Sequence, residues 1–405
     1  MVLDAFHKGM DGSPASCLAM LICALGCIAT PFGPSDNTKR GTPAHNESQV
    51  FFHAAQRRIG MLLVRSDIIG AQCLFLSGIY LMMVFQPIYA WRFFSQALAT
   101  CQHLPFLAKA QTLRSSPGVL EMGPQDTQEQ AVYWSAWKSE RELRQELELP
   151  DFVLSPGHTL YPPFFPAPPS QPANPAGVPG SEAERVHSSW MFYLAEISLR
   201  RLTSRLSSEL IGLRDRYASS TPRLLDVLAD MMPEYETQVQ EWSNSLPADL
   251  SLSNALDGDG ICRSVLRGRM INLLEMIYWP FVMAAIDSRG STGRPTTTAP
   301  APAPAAAAAE ELARRGLDTH VHQIDANRPG FRHRHHGGYF MIRSCTRSAL
   351  VLVAAARAGC AMPPAWSDAI PEVIGMLSYW EDEDADVPRW KATLERALAA
   401  WRRGT

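Results

Sequence analysis

Apolar residues recur at intervals of three and four along most of this chain, with polar residues between them. Over 48–64, Val50, Phe51, Ala54, Ala55, Ile59, Leu62 and Leu63 alternate with His53, Gln56, Arg57 and Arg58, the spacing of one helical face. Asp67 is placed to cap a second helix running to about Phe85, where Gln86-Pro87 interrupts it. Pro87 suits the first turn of a third helix through Trp91, Phe94 and Leu98, because a first-turn nitrogen has no helical acceptor to lose. Short connections between three such helices predict an antiparallel layer. A charged amphipathic helix over 126–148 ends at Pro150.

The same period returns over 183–217, with Trp190, Tyr193, Leu194, Ile197, Leu199, Leu202 and Leu206 on one face. It continues over 222–244 behind Thr221 as a cap, breaks at Leu246-Pro247 through Leu250, and resumes over 262–286 with Leu266, Met270, Leu273, Leu274, Ile277 and Phe281. Residues 339–359 and 387–401 predict two further helices. Strand alternation and repeats of solenoid length are both missing. The expected fold is therefore all-α, a single large multi-helix domain over 1–402. Two segments interrupt it. Residues 151–181 are dense in proline and predict an extended loop, with Tyr161, Phe164 and Phe165 available to dock. Residues 289–330 contain alternating Pro and Ala and predict a low-complexity, disordered insertion.

Two strongly apolar runs raise the question of a membrane. Cys17–Ala29 is shorter than the roughly 20 residues that span a bilayer, and Asp4 and Asp11 in front of it argue against a secretory leader. Cys73–Tyr89 is interrupted by Gln86-Pro87. Both predict buried helices of a soluble protein with no membrane partner. The 405 residues are 46% apolar, ample for a large core, and the net charge of −3 provides no basic footprint for phosphate. Direct nucleic-acid binding by these residues is disfavoured.

The eight cysteines sit mostly inside apolar runs, as small hydrophobes of a reduced protein. Cys17, Cys23 and Cys27 are separated by five and three residues, whereas zinc sites close on pairs separated by two. His320, His322, His333, His335 and His336 are close in sequence, but Arg332 and Arg334 alternate with the second group and oppose a cation there. Structural roles are expected, with His335 or His336 bridging polar groups next to Gly337-Gly338. Glu381 through Asp386 lacks the glycine and terminal glutamate of a calcium loop and predicts a solvated turn before the last helix. Nucleophile elbows, phosphate-cradling glycine loops and His-Glu-x-x-His helices are missing, so no enzyme motif stands out. Glu140 and Arg144 are an i,i+4 pair expected on an exposed face, with Lys138 or Arg141 reaching inward as the alternative. Trp91, Tyr133, Trp137, Trp190 and Tyr193 are packing aromatics that could also line an effector pocket between helices.

Several of these segments, taken in order, resemble the regulatory region of fungal zinc-cluster transcription factors. Leu76-Ser-Gly-Ile-Tyr-Leu81 with Pro87 and Ala90-Trp91-Arg92 is similar to that family's helix pair. Tyr133 to Leu149-Pro150, with Trp137-Lys138 and Glu140-Arg141-Glu142, is similar to its signature helix. Leu246-Pro247, Leu266-Arg267-Gly268-Arg269 and Tyr278-Trp279-Pro280-Phe281 resemble a later one. The resemblance covers roughly residues 15–285 and 330–402. It implies a nuclear, non-enzymatic regulatory domain acting on RNA polymerase II genes through transcriptional machinery, co-regulators or a small effector, with homodimer formation left open. The family's N-terminal zinc cluster, which would bring zinc and DNA contact, has no counterpart among these residues, so no cofactor is expected in this chain. The alternatives are a co-regulator without a DNA reader and an α-helical enzyme such as one of terpenoid metabolism; the latter would need a second acidic cluster facing Glu381–Asp386.

Overall fold

A computed structural model describes residues 7, 9–109, 123–149, 182–253, 260–290 and 303–403. The fold is all-α, and no strand occurs among the described residues. The helices are α1 (Pro14–Ile28), α2 (Pro43–Leu62), α3 (Ile68–Met83), α4 (Pro87–Cys101), α5 (Pro124–Glu146), α6 (Glu182–Arg216), α7 (Thr221–Asn244), α8 (Ile261–Gly290), α9 (Ala303–Asn327), α10 (Gly338–Ala358), α11 (Trp366–Trp380) and α12 (Asp386–Arg402). Short 3₁₀ turns lie at Asp36–Thr38, Ala248–Leu250 and Arg328–Gly330.

Local chemistry sets most boundaries. Ser13 and Thr42 cap α1 and α2 by accepting the N–H of Ser16 and His45, and each helix opens on a proline. Asp67 caps α3 through Gly70 N at 2.8 Å, as its position predicts. The break after α3 falls at Phe85, whose φ of 55° is left-handed, and Pro87 then opens α4. At α7 the cap position is Ser220, one residue before the expected Thr221.

The chain groups into two compact units, where the periodicity predicts one domain over 1–402. The first comprises residues up to Leu194 together with Arg332–Phe340; the second comprises Ala195–Phe331 and Met341–Thr405. Each has its own core, because α1–α5 turn their apolar faces on one another while α7, α8, α9, α11 and α12 do the same among themselves.

In the first unit, Leu74 of α3, Ala97 of α4 and Ala136 of α5 form a buried cluster lined by Ile59, Phe75, Phe93 and Leu98. Small residues at the centre let the helices approach closely. Gly78 is the extreme case, since a methyl group there would run into the Phe94 ring. Gly78→Ala is therefore expected to lower stability by about 1–3 kcal/mol through overpacking. Paired with Phe94→Leu, the substitution should cost less than the sum of the two single changes. Urea unfolding of the two single variants and the double variant measures this, and strict additivity would contradict the contact.

In the second unit, Gly316 plays the same part between α8 and α9, its missing Cβ lying 2.5 Å from Val282 Cγ2 and 2.9 Å from Tyr278 Cβ. The proline-rich segment 151–181 lies outside the described residues. The expected insertion 289–330 does not hold over its second half, where α9 occupies Ala303–Asn327. The alanine run ending at Ala309 is strongly helix-forming, and Leu312, Ala313, Leu317 and Ile324 supply a buried face. Helix α11, unpredicted from the sequence, buries Ile370, Val373, Met376, Leu377 and Trp380 despite Pro371. Residues Ile261–Arg289 and Gly338–Ala358 are long and apolar enough to cross a membrane by length and composition. Both also carry charged side chains that meet each other in the second unit.

Candidate functional sites

Two of the aromatic residues singled out in the sequence, Tyr133 and Trp137, lie on α5, and Trp91 and Tyr193 meet that helix from its neighbours. Its inward face is built at helical spacing from Tyr133, Trp134, Ala136, Trp137, Glu140 and Leu143, all buried. Trp134 and Trp137 meet edge to face at 5.5 Å, and Phe106 meets Tyr133 at 5.7 Å in the same manner. Burial pushes the Tyr133 phenol up, against an opposing hydrogen bond with Gln102.

Trp91 of α4 reaches this face through a carboxylate. Its Nε1 donates to Glu140 Oε1 at 3.1 Å, and Arg144 Nε donates to the same oxygen at 2.8 Å. The Arg144 guanidinium lies 5.8 Å from the centre of the Trp91 ring, closing a triangle of indole, carboxylate and guanidinium. The expected exposed pair Glu140–Arg144 is corrected here, because Glu140 is only 2% exposed. The position faces α4 rather than solvent, and two donors meet the carboxylate there.

Tyr193 of α6 closes the other side of α5. Its hydroxyl donates to Ala131 O at 3.0 Å and lies 2.5 Å from Ser135 Oγ. Lys138 Nζ stands 5.7 Å over the Tyr193 ring, and the Arg141 guanidinium 5.9 Å over Trp137. Both cations thus cover aromatic faces. Trp190 lies half-buried on α6 with its ring 5.6 Å from that of His187. Trp91, Tyr133, Trp137 and Tyr193 are accordingly organised around one helix.

The later motif also has a structural role. Arg267 is buried and its NH1 donates to Leu252 O at 2.9 Å, tying α8 to the segment after the Leu246-Pro247 break. Arg269 pairs with Glu196 of α6 at 2.8 Å.

A second polar centre lies inside the second unit, and its carboxylate and hydroxyl do not stand out in the sequence. Glu275 of α8 accepts from Ser348 Oγ of α10 at 2.6 Å, and His320 Nδ1 of α9 lies 2.9 Å from the same oxygen, Oε1. Arg347 NH2 pairs with Glu275 Oε2 at 2.9 Å. Next to them Gln323 Nε2 donates to Ser344 Oγ at 3.0 Å. The available signal was a glutamate standing in the buried stripe of Leu273, Leu274 and Ile277, where an unpaired charge is prohibitively costly. Burial alone would raise the Glu275 pKa. The hydrogen bond and charge of His320, then Arg347 and Ser348, outweigh it and hold the carboxyl below its usual range.

Serine, histidine and glutamate in contact invite comparison with a hydrolytic triad, and the geometry differs. His320 meets both Glu275 and Ser348 through the same nitrogen, Nδ1, the Ser348 contact being 3.0 Å. A triad needs the two ring nitrogens to face opposite partners, so that one takes the serine proton while the other is held by the carboxylate. Here the Ser348 hydroxyl donates its hydrogen bond to Glu275 and is fully buried. This arrangement fixes three helices and presents no nucleophile.

His335 also has a structural setting. His335 Nδ1 accepts from Gly337 N at 3.2 Å and its carbonyl accepts from Gly338 N at 2.9 Å, the bridging role expected beside the two glycines. Burial, with the neighbouring His336 and His333, pushes its pKa down to about 3. In the run Glu381–Asp386, Glu381 pairs with Lys391 at 2.8 Å, while Glu383 is buried rather than solvated. Among the described residues, no three His, Cys, Asp or Glu side chains are placed to hold a metal ion. The sequence matches no protein-family model, no curated protein and no solved structure.

Proposed function

We propose that this chain is the regulatory domain of a fungal zinc-cluster transcription factor, working in the nucleus on RNA polymerase II genes. It acts through a bound co-regulator or small effector and performs no chemistry of its own. Zinc and base contacts would belong to residues other than these 405, which hold no paired-cysteine cluster. The observation that carries the reading is the join between two motif-like segments. Trp91, from the segment similar to the family's helix pair, and Arg144, from the segment similar to its signature helix, share one buried carboxylate, Glu140. Residues that resemble a family pattern for packing reasons should touch one another, and these do.

The test is a tethering assay. The chain is fused to an unrelated DNA-binding domain in a fungal host carrying a reporter with matching sites. Reporter output is expected to move severalfold, up or down, relative to the DNA-binding domain alone. Output that stays at that baseline with the fusion present at normal abundance contradicts the proposal.

A further inference from the structure

Among the described residues, 332–340 is the one stretch beyond Leu194 that belongs to the first unit, and the chain on both sides of it belongs to the second. Its first five residues, Arg332-His-Arg-His-His336, are all basic. Printed contacts tie them to the turn after α1 and to the end of α3. Ser35 N donates to Arg332 O at 2.9 Å, Arg334 N donates to Ser35 Oγ at 2.8 Å, and Arg334 NH1 donates to Met83 O at 2.6 Å. The His333 ring lies 5.1 Å from that of Phe32, and the His335 ring stacks on His333 at 5.6 Å and 14°. His336 meets His335 edge to face at 6.4 Å. Just outside the stretch, Trp380 Nε1 holds Phe331 O at 2.7 Å, and α10 continues from Met341, so both ends stay fixed in the second unit.

We propose that residues 332–340 form a strap that leaves the first unit on acidification, with His335 as its latch. The latch follows from which ring nitrogens are occupied. His333 Nδ1 faces Gly33 O at 3.3 Å, so the proton of the neutral ring is on Nδ1 and Nε2 is bare. His333 can therefore take a second proton without losing that bond. His335 is the reverse case. Its Nδ1 accepts from Gly337 N at 3.2 Å, so its one proton is on Nε2 and the next must go to Nδ1. That proton removes the acceptor and sets one N–H against another. The glycine turn lies directly against the ring, since a Cβ on Gly337 would come within 3.1 Å of Nδ1.

Charge acts in the same direction. The elements packed on the strap bring Asp36 and Lys39, in and just after the first 3₁₀ turn, and Tyr80 of α3. The strap itself adds Arg332, Arg334, His336 and Tyr339. Burial does most to hold the His335 pKa down to about 3, and the charges that add to it are His336 and then His333, of like sign once protonated. His333 is also lowered by burial, against its bond to Gly33. In a released strap an imidazole titrates near about 6.5. A histidine with a depressed folded pKa favours the docked strap above that value, and the preference is lost as pH falls toward the folded one. Between about pH 7.5 and about pH 5, His335 alone moves the docked-to-released ratio about thirtyfold toward release.

Hydrogen exchange of the full folded chain at these two pH values, corrected for the intrinsic exchange rate, reads the release. Protection of the strap amides, among them Arg334 and Gly337, should fall about thirtyfold in the wild type, while the α4 amides around buried Phe94 change little. His335→Asn keeps an acceptor near the place of Nδ1 and takes no proton, so most of this pH dependence should vanish. The proposal is overturned if strap protection in the wild type is the same at both pH values, if α4 loses protection equally, or if a folded His335→Asn behaves as the wild type does. Circular dichroism checks that the variant is folded. If it is not, long-range proton–nitrogen NMR of the wild type decides the matter. At neutral pH the proton of His335 should be found on Nε2, and a proton on Nδ1 overturns the latch.

Discussion

Glu275→Ala unfolds at a much lower denaturant concentration than the wild type, with a loss of about 3–5 kcal/mol, the range seen when one member of a buried ionic network is removed. Glu275 is 5% exposed and is met by His320, Ser348 and Arg347, from α9 and α10. Its removal leaves the hydroxyl of Ser348 and Nδ1 of His320 facing a cavity inside the three-helix junction. Urea midpoints at unchanged slope measure the effect. A loss below about 1 kcal/mol would mean that these groups are better solvated than the geometry shows.

The same carboxylate carries a pH signature. Its folded pKa lies below that of the unfolded chain, where glutamate titrates near about 4.3. A depressed carboxylate stabilises fully above the unfolded value, and that contribution disappears as pH falls through the folded one. Acidification below about pH 4 should therefore cost the wild type more stability than it costs Glu275→Gln. Asp126, lowered mainly by its hydrogen bond from Lys109, adds to the acid limb of both proteins and cancels in the comparison. Parallel acid limbs for the two would contradict the role given to Glu275.

The second large effect is expected at Arg334. Its side chain is 2% exposed, NH1 donates to Met83 O at 2.6 Å, and Nε donates to Thr38 Oγ1 at 3.3 Å. Its backbone N–H reaches Ser35 Oγ at 2.8 Å, and the guanidinium lies 6.0 Å from the centre of the Phe85 ring. Met83 is the last residue of α3, where carbonyls lack helical donors and a cation is favoured. Arg334→Ala orphans that carbonyl and empties a packed volume, a combined loss of about 3 kcal/mol. Arg334→Lys keeps the charge without the fork and should recover only part of it. Full recovery by lysine, read from thermal midpoints, would show that charge alone matters.

Much of this architecture was legible because helical periodicity is a local signal. Asp67 before an apolar run and Pro87 after Gln86 mark their boundaries through capping and ring geometry alone, and both fall where expected. Helix α11 escaped because Pro371 interrupts a pattern whose apolar residues are nevertheless correctly spaced. The burial of Ile370 and Trp380 outweighs the lost hydrogen bond. The alanine-proline composition at 299–309 hid the start of α9 for a related reason, since composition says nothing of the face that begins at Leu312.

At the sites, residue types were readable and partners were not. Trp91, Tyr133, Trp137 and Tyr193 carried an aromatic signal, but the exposed reading of Glu140 failed because its second donor, Trp91, is 49 positions away. Glu275 and Ser348 are 73 positions apart and form a site only because the tertiary fold brings their side chains together.

The central claim is that the buried Trp91–Glu140–Arg144 join belongs to a transcription-regulating module. The measurement that tests it most directly is reporter output from the tethered chain, comparing wild type with Glu140→Gln at matched abundance and with folding confirmed by circular dichroism. The account predicts that the wild type shifts the reporter severalfold and that Glu140→Gln, with its join weakened, loses most of that shift. Exposed Ser189→Ala should match the wild type. A wild-type output equal to the DNA-binding domain alone, or a folded Glu140→Gln indistinguishable from wild type, would contradict it.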